Sequence, residues 1–328
     1  MESKAVRIGL IGCGRVAENH VQAIAKCPDA VLVAATGGSH AADFCDKHNI
    51  QLLTPEKLCD SPDVDAVLVL TPPQFHYENT IRALNRGKHV LVEKPVSFNL
   101  HEIEDMKKAA KESHAVCMPG HSYLYLPELA RMKQVAASKG IGEPTYLYIS
   151  EAYYMPPELF GKYTGPETDV LCHQLYLSLA YLGVPAQLAA FGSAFDKSVI
   201  ETGGPQVILN MKYKSGALAQ VVVSWAGEDH TSDPWTFKVK MLGSGGGMHF
   251  SRRDYVQNVG VTYEQAFYQE MFDQQMYHFV QHCIFGGKQP LSTLDDAAWV
   301  CKLHNMVLTS MKNNTVIDVD DVANTVRN

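Results

Sequence analysis

The sequence predicts an α/β protein of two domains. A doubly wound parallel sheet occupies 1–120, and an α+β domain with a largely antiparallel sheet occupies 121–328. Three observations carry this. Strand and helix signals alternate through the first 120 residues, the pattern of parallel sheets covered by helices on both faces. A glycine-rich turn, Gly12-Cys13-Gly14, joins the first strand to the first helix. Beyond Gly120 strand signals follow one another across turn residues, as in antiparallel sheets. At roughly 100–200 residues per domain, 328 residues suit two domains.

The elements can be justified in order. Val6 to Ile11 is apolar and β-branched, a buried strand. Val16, Ala23, Ile24 and Cys27 recur at helical spacing, so 16–27 is a helix. Val31 to Thr36 is the second strand and Ala41 to His48 the second helix. Asp65 to Leu70 reads as a strand closed by Thr71-Pro72-Pro73, and Glu78 to Arg86 as a helix ended by Gly87. His89 to Glu93 is a further strand. Asn99 and Glu102 form a capping box before a helix whose buried stripe is Ile103, Met106 and Ala110. Ala115 to Met118 is the last short strand of this domain.

In the second half, Thr145 to Ile149 is a strand, and Gln206–Tyr213 and Ala217–Trp225 form a hairpin around Lys214-Ser215-Gly216. Trp235–Leu242 and Met248–Phe250 flank a glycine run at 243–247. Helices are predicted over Glu128–Ser138, Thr168–Leu182, Tyr263–Phe285 and Leu294–Met311, the last behind a looser capping box of Ser292 and Asp295. No Pro/Ser-rich linker separates the halves, which points to a tight junction with the ligand site in the interdomain cleft.

Composition excludes several functions. Lys and Arg total 28 against 35 Asp and Glu, a net charge of −7, which leaves no basic excess for nucleic acid. No apolar run approaches the roughly 18 residues of a membrane span, and charges in the first seven residues break any secretory signal. The eight cysteines are scattered without CxxC pairs, so reduced thiols in the cytoplasm are expected.

Gly12-Cys13-Gly14-Arg15-Val16-Ala17 has the form G-x-G-x-x-A. Gly12 permits a tight turn, Gly14 lets a pyrophosphate approach the backbone, and Ala17 lets helix and strand pack closely. The free N–H groups opening the helix then face the phosphates. After the second strand, 34–40 contains no acid to bond a ribose 2′-hydroxyl. NADP is therefore favoured over NAD, with Ser39 and His40 as donors to a 2′-phosphate and Arg15 or Lys47 as the charge.

The Val6–Gly14 segment resembles the start of the glucose–fructose oxidoreductase/inositol dehydrogenase family, Gfo/Idh/MocA. Thr71-Pro72-Pro73 with His76 resembles its T-P-x-x-x-H turn, and Glu93-Lys94-Pro95 its E-K-P signature. Gly142-Glu143-Pro144, the D-x-x-x-H of Asp169 and His173, and the glycine turn from Gly243 continue the likeness through the chain. The resemblance implies a Rossmann domain, an open second sheet through which members associate as homodimers or homotetramers, and a nicotinamide-dependent oxidoreductase of sugars or cyclitols. By position it also implies that Thr71, Pro72, His76, Glu93 and Lys94 join Gly12, Gly14, Arg15, Val16, Ala17, Ser39 and His40 around the cofactor.

Oxidising an alcohol needs a base for the hydroxyl proton and an acceptor for the hydride, and histidine titrates near neutral pH. Asp169 and His173 stand four apart, on one face of a helix. Lys94 ends a parallel strand, where α/β sheets bind ligands. The resemblance makes His173 the acid/base, Lys94 the group that polarises the substrate oxygen, and Asp169 a bond to a substrate hydroxyl. His121, Tyr123, Tyr153 and Tyr176 are further substrate contacts. Tyr176 stands where the family often has an acid, and Leu124 where it often has arginine, which disfavours carboxylated or phosphorylated substrates. Tyr125, Tyr154 and Tyr163 lie near the same segments, and Glu151 or Glu167 offers a partner to an amino group. His278 and His282 read as packed helix residues, with no metal site expected. Two other functions remain open: a non-catalytic regulator that senses the cofactor, and a hydrolase or epimerase that recycles it.

Overall fold

The structure, a computed structural model, describes residues 5–156, 165–194, 205–227, 237–250 and 263–319. The chain forms two compact units: Met1–Leu126 with Gln265–Cys301, and Pro127–Glu264 with Lys302–Asn328.

The first unit runs β1 (Val6–Ile11), α1 (Ala17–Lys26), β2 (Ala30–Thr36), α2 (Ala41–His48), β3 (Gln51–Leu52), α3 (Pro55–Asp60), β4 (Ala66–Val69), α4 (His76–Leu84), β5 (His89–Glu93), α5 (Leu100–Ser113) and β6 (Cys117–Gly120). Its six strands are all parallel, in the order β3-β2-β1-β4-β5-β6. β4 is buried along its whole length, as are Val90, Leu91 and Val92 of β5, because helices cover both sheet faces. The order reverses between β1 and β4, which opens a crevice at the carboxyl ends of these strands.

The second unit carries α6 (Pro127–Ala137), β7 (Pro144–Ala152), α7 (Pro166–Asp169), α8 (Leu171–Leu182), β8 (Gln187–Ala194), β9 (Pro205–Lys212), β10 (Leu218–Ser224), β11 (Phe237–Gly243) and β12 (Gly246–His249). The chain continues through α9 (Tyr263–Tyr277), a π-helix (His278–Phe285), α10 (Leu294–Asn313) and β13 (Ile317–Asp318). The seven strands lie in the order β12-β11-β7-β10-β9-β8-β13. Among the described strands of this sheet, only β7 and β10 pair in parallel. Alternation is clean in β9: Val207, Leu209 and Met211 point inward while Ile208, Asn210 and Lys212 are exposed. α8 packs on β7 and β10, over a core that includes Leu147, Ile149, Val221 and Val223.

The doubly wound first sheet and the mostly antiparallel second sheet match expectation. The division of the chain is drawn differently from 1–120 and 121–328, because 265–301 packs with the first unit. Asn19 Nδ2 donates to Gln269 Oε1 and Gln269 Nε2 donates to the Asn19 backbone carbonyl, Lys26 pairs with Asp273 at 2.6 Å, and Phe272 meets His20 edge-on. Leu294, Ala297, Ala298 and Cys301 share a core with Ile103 and Met106.

Local corrections have simple causes. Glu102 does not bond Asn99 directly. Ser97 stands between them, donating to Glu102 and accepting from the Asn99 N–H. The buried stripe of α5 includes Ala109, with Ala110 half-buried. The box before α10 is one residue later than expected: Thr293 and Asp296 cap one another. β3, β8 and β13 escaped the sequence reading, as did α3, although Thr54 before Pro55 is a start signal and its hydroxyl accepts from the Lys57 N–H.

Candidate active site

In the first unit the cofactor candidates gather at the carboxyl ends of the strands. Gly12 follows β1 with φ +113°, a left-handed value glycine adopts freely. Its nitrogen donates to Thr36 O at 2.8 Å, which ties the turn to β2. Ala17 is fully buried, so the small residue expected between helix and strand is in place. A Cβ on Gly14 would find no atom within 4 Å, and no side chain caps α1 at Val16. The buried Thr71 Oγ1, two residues after β4, has no hydrogen-bond partner. Open space at Gly14, an uncapped helix start and an orphaned hydroxyl fit the pyrophosphate and ribose of a dinucleotide. Ser39 and His40 are exposed between β2 and α2, and Arg15 is exposed beside the turn. Lys47 pairs with Glu18 at 2.8 Å, so this charge is committed to α1.

His76 Nε2 lies 2.7 Å from Thr71 O and its Nδ1 2.9 Å from Pro95 O, so the ring binds the turn after β4 to the loop after β5. Burial pulls the His76 pKa down, against the two carbonyls that favour the charged ring. Glu93 sits inside the unit. Its Oε1 is 3.0 Å from His20 Nε2, and its Oε2 accepts from the Lys94 N–H at 3.0 Å. Burial pushes this carboxyl up, but the His20 bond and the charge of Lys94 outweigh it and hold it below the usual carboxylate range. Lys94 follows, half-buried, with a cis bond to Pro95.

Sequence reasoning missed His20. The signal was a polar residue on the α1 stripe of Ala17, Ala23 and Ile24. After β6, His121 Nδ1 and Ser292 Oγ lie 2.6 Å apart, and burial pulls the ring down to about 3. Tyr123 and Tyr125 are buried in the following turn, where Tyr125 meets Met118 Sδ.

The second unit holds the other candidates. Asp169 ends α7 and His173 lies in the first turn of α8, with Val170 between them in right-handed helical conformation. Helical backbone thus runs from Asp169 to His173 through this single residue between α7 and α8. The His173 N–H donates to Val170 O at 2.9 Å, and the Cys172 thiol meets Asp169 O. His173 Nδ1 is 2.6 Å from Tyr176 Oη. Gln174 is fully buried and donates to Glu151 Oε2 at 2.7 Å, and Tyr153 Oη accepts from Trp225 Nε1 at 3.1 Å. Glu167 is raised by burial, and its carbonyl lies 2.9 Å from His304 Nε2. Tyr163 lies outside the described residues.

His278 and His282 meet edge-on, with ring centroids 5.0 Å apart. No group of three His, Cys, Asp or Glu side chains among the described residues is placed to hold a metal ion. None of the eight cysteines forms a disulfide. No helix among the described residues is long and apolar enough to cross a membrane.

Residues 6–121 match the oxidoreductase family with an NAD-binding Rossmann fold, and residues 129–249 match the GFO/IDH/MocA C-terminal domain. The chain belongs to the Gfo/Idh/MocA oxidoreductase family. The family and enzyme class expected from the sequence are thereby borne out. Relatives include 1,5-anhydro-D-fructose reductase of Ensifer adhaerens, 29% identical over 65% of this chain and 68% of its own. The scyllo-inositol 2-dehydrogenase (NADP(+)) IolU of Bacillus subtilis is 27% identical over 59% of this chain and 63% of its own. The fold matches scyllo-inositol dehydrogenase from Lactobacillus casei, solved with NAD(H) and scyllo-inositol, at a TM-score of 0.81. That likeness covers 97% of this chain and 100% of the other, at 20% identity.

Proposed function

We propose that this oxidoreductase interconverts a secondary alcohol and a ketone on a sugar, cyclitol or amino derivative, using NADP in preference to NAD. The observation that carries the reading is the cradle at the carboxyl edge of the first sheet, with its open Gly14, uncapped α1 and orphaned Thr71 hydroxyl. A bound dinucleotide supplies the hydride acceptor. Gly12, Gly14, Val16 and Ala17 shape its pyrophosphate site, and Thr71, Pro72, His76 and Glu93 form its walls. Ser39, His40 and Arg15 meet a 2′-phosphate where no acid opposes it. Lys94 bonds the substrate oxygen and stabilises developing alkoxide charge. His173 exchanges the hydroxyl proton. Asp169, His121, Tyr123 and Tyr153 bond the remaining hydroxyls. Relatives that act on a polyol or an anhydrosugar support the substrate class, and the occurrence of both NAD and NADP among them leaves the choice to the Ser39 region.

The experiment is an absorbance screen with NAD and NADP against myo-inositol, scyllo-inositol, 1,5-anhydro-D-fructose, glucose and aminated analogues. Net cofactor reduction or oxidation with a polyol or sugar supports the proposal. Cofactor binding without turnover favours the sensing regulator. Product formation without net cofactor change favours the recycling enzyme.

The reading extends to assembly as a homodimer or homotetramer. The outward face of the second sheet sets Phe191 opposite Ile208 and Ile208 opposite Val222, with Leu218 exposed two rows away. Phe191 is 63% exposed and Leu218 52% in the single chain. Apolar rows of this kind mark surfaces that associate.

A further inference from the structure

We propose that His20 is a positioning residue: through Nε2–H it fixes the Glu93 carboxylate, and the second oxygen of that carboxylate fixes the backbone of Lys94. This rests on the role given to Lys94 above. Pairing of β5 ends where Glu93 stands opposite Gly120 of β6. The next N–H, that of Lys94, donates to Glu93 Oε2 at 3.0 Å, and Glu93 Oε1 lies 3.0 Å from His20 Nε2. Chemistry decides which way the second bond runs. Glu93 is held below the usual carboxylate range, so near neutral pH it is ionised and only accepts. The hydrogen therefore sits on Nε2, whether or not the ring is charged.

The surroundings hold the pair in this arrangement. His20 lies on α1, fully buried, with Phe272 of α9 edge-on to its ring at a centroid distance of 4.9 Å. Its Nδ1 makes no hydrogen bond, so Glu93 is the ring's polar anchor among the described residues. Gly120 leaves room for the carboxyl, since a Cβ there would stand 3.0 Å from Glu93 Cα and 3.3 Å from its Cδ. Without Nε2–H, the buried carboxylate must turn to another donor or to water, which releases the Lys94 N–H. A lysine side chain is a flexible four-carbon stem, so fixing its backbone narrows where its ammonium can reach. α1 is also the helix that opens at the Gly12–Gly14 turn. The proposed phosphate site and the anchor of Lys94 thus share one rigid element.

Amide hydrogen exchange and long-range proton–nitrogen spectra of the ¹⁵N-labelled protein test this without any substrate. In the unmutated protein His20 Nε2 should carry hydrogen and the Lys94 N–H should be protected. In His20→Leu the Lys94 N–H should exchange about 10- to 100-fold faster relative to the Leu91 N–H of the same strand. A glutamine side chain sets its N–H near the Nε2 position, and an asparagine stops near Nδ1. His20→Gln should therefore restore the protection and His20→Asn should not. With a substrate from the screen, kcat should follow the same order. It should fall about 10- to 100-fold in His20→Leu and His20→Asn and recover to within about threefold in His20→Gln. A bare Nε2, an unprotected Lys94 N–H in the unmutated protein, or protection unchanged in His20→Leu overturns the proposal. The first two decide it alone if the leucine and asparagine variants do not fold. Equal losses of kcat in all three variants also overturn it, by assigning His20 to packing. Coupled exchange beside an active Lys94→Ala would overturn the functional reading alone. Uncoupled exchange beside an inactive Lys94→Ala would overturn this inference alone.

Discussion

A Cβ at Gly12 would stand 2.7 Å from the Leu70 carbonyl carbon and 2.8 Å from the Thr71 nitrogen, on a backbone at φ +113°. Neither neighbour is a flexible side chain that could give way. Gly12→Ala should therefore destabilise the first unit by about 2–4 kcal/mol, measured by urea unfolding. Gly14 differs, because its Cβ position is open. Gly14→Ala should keep the unmutated melting temperature and weaken cofactor binding at least about tenfold, read by titration with reduced cofactor. Equal loss of stability in both variants would remove the functional reading of Gly14. Lys94→Ala should lower kcat by about a hundredfold or more and leave cofactor affinity nearly intact, because it removes charge stabilisation at the substrate oxygen. Turnover at the unmutated rate by both Lys94→Ala and His173→Ala would show the roles to be wrongly assigned.

At the scale of elements, the Glu93–His20 bond joins the end of β5 to the second turn of α1, the helix that opens at the glycine turn. The bond is buried, so Glu93→Ala should cost about 1.5–3 kcal/mol of stability, again by urea unfolding. The folded Glu93 carboxyl titrates below its unfolded value. Its contribution is complete above about pH 4.3 and disappears as the pH falls through the folded value. His121 acts over a higher range. Burial lowers its pKa from 6.5 to about 3, so the unfolded ring takes up a proton below 6.5 that the folded ring refuses until about 3. Stability is full above pH 6.5 and should fall by as much as about 1.4 kcal/mol per pH unit below it from this group. His121→Asn should flatten urea midpoints between pH 6 and pH 4 by roughly one proton's worth of slope, and an unchanged slope would exclude His121 as the source.

For the whole molecule, the open face of the second sheet predicts assembly. Ile208→Lys places a charge between Phe191 and Val222 and should shift sedimentation toward a smaller species without lowering the melting temperature of the monomer. An unchanged sedimentation profile would locate any association elsewhere. The division of the chain was the least legible feature at this scale. Ile103 and Met106 were readable as a stripe, but nothing local announced that Leu294 and Ala297, nearly two hundred residues on, would share their core. An amphipathic helix declares that it needs a partner and does not declare which one.

Most first-unit strands, the glycine turn and its small third residue followed from the sequence alone, because period, branching and turn chemistry act between near neighbours. Candidates such as Lys94 and His173 also followed, through residue type and motif order. Only the tertiary structure decided that Glu93 faces His20, that Lys47 belongs to Glu18, and that a phenol meets the His173 ring. Each of these depends on which polar atoms packing brings within about 3 Å of one another while water is excluded, a condition set by the whole fold rather than by any short stretch of chain.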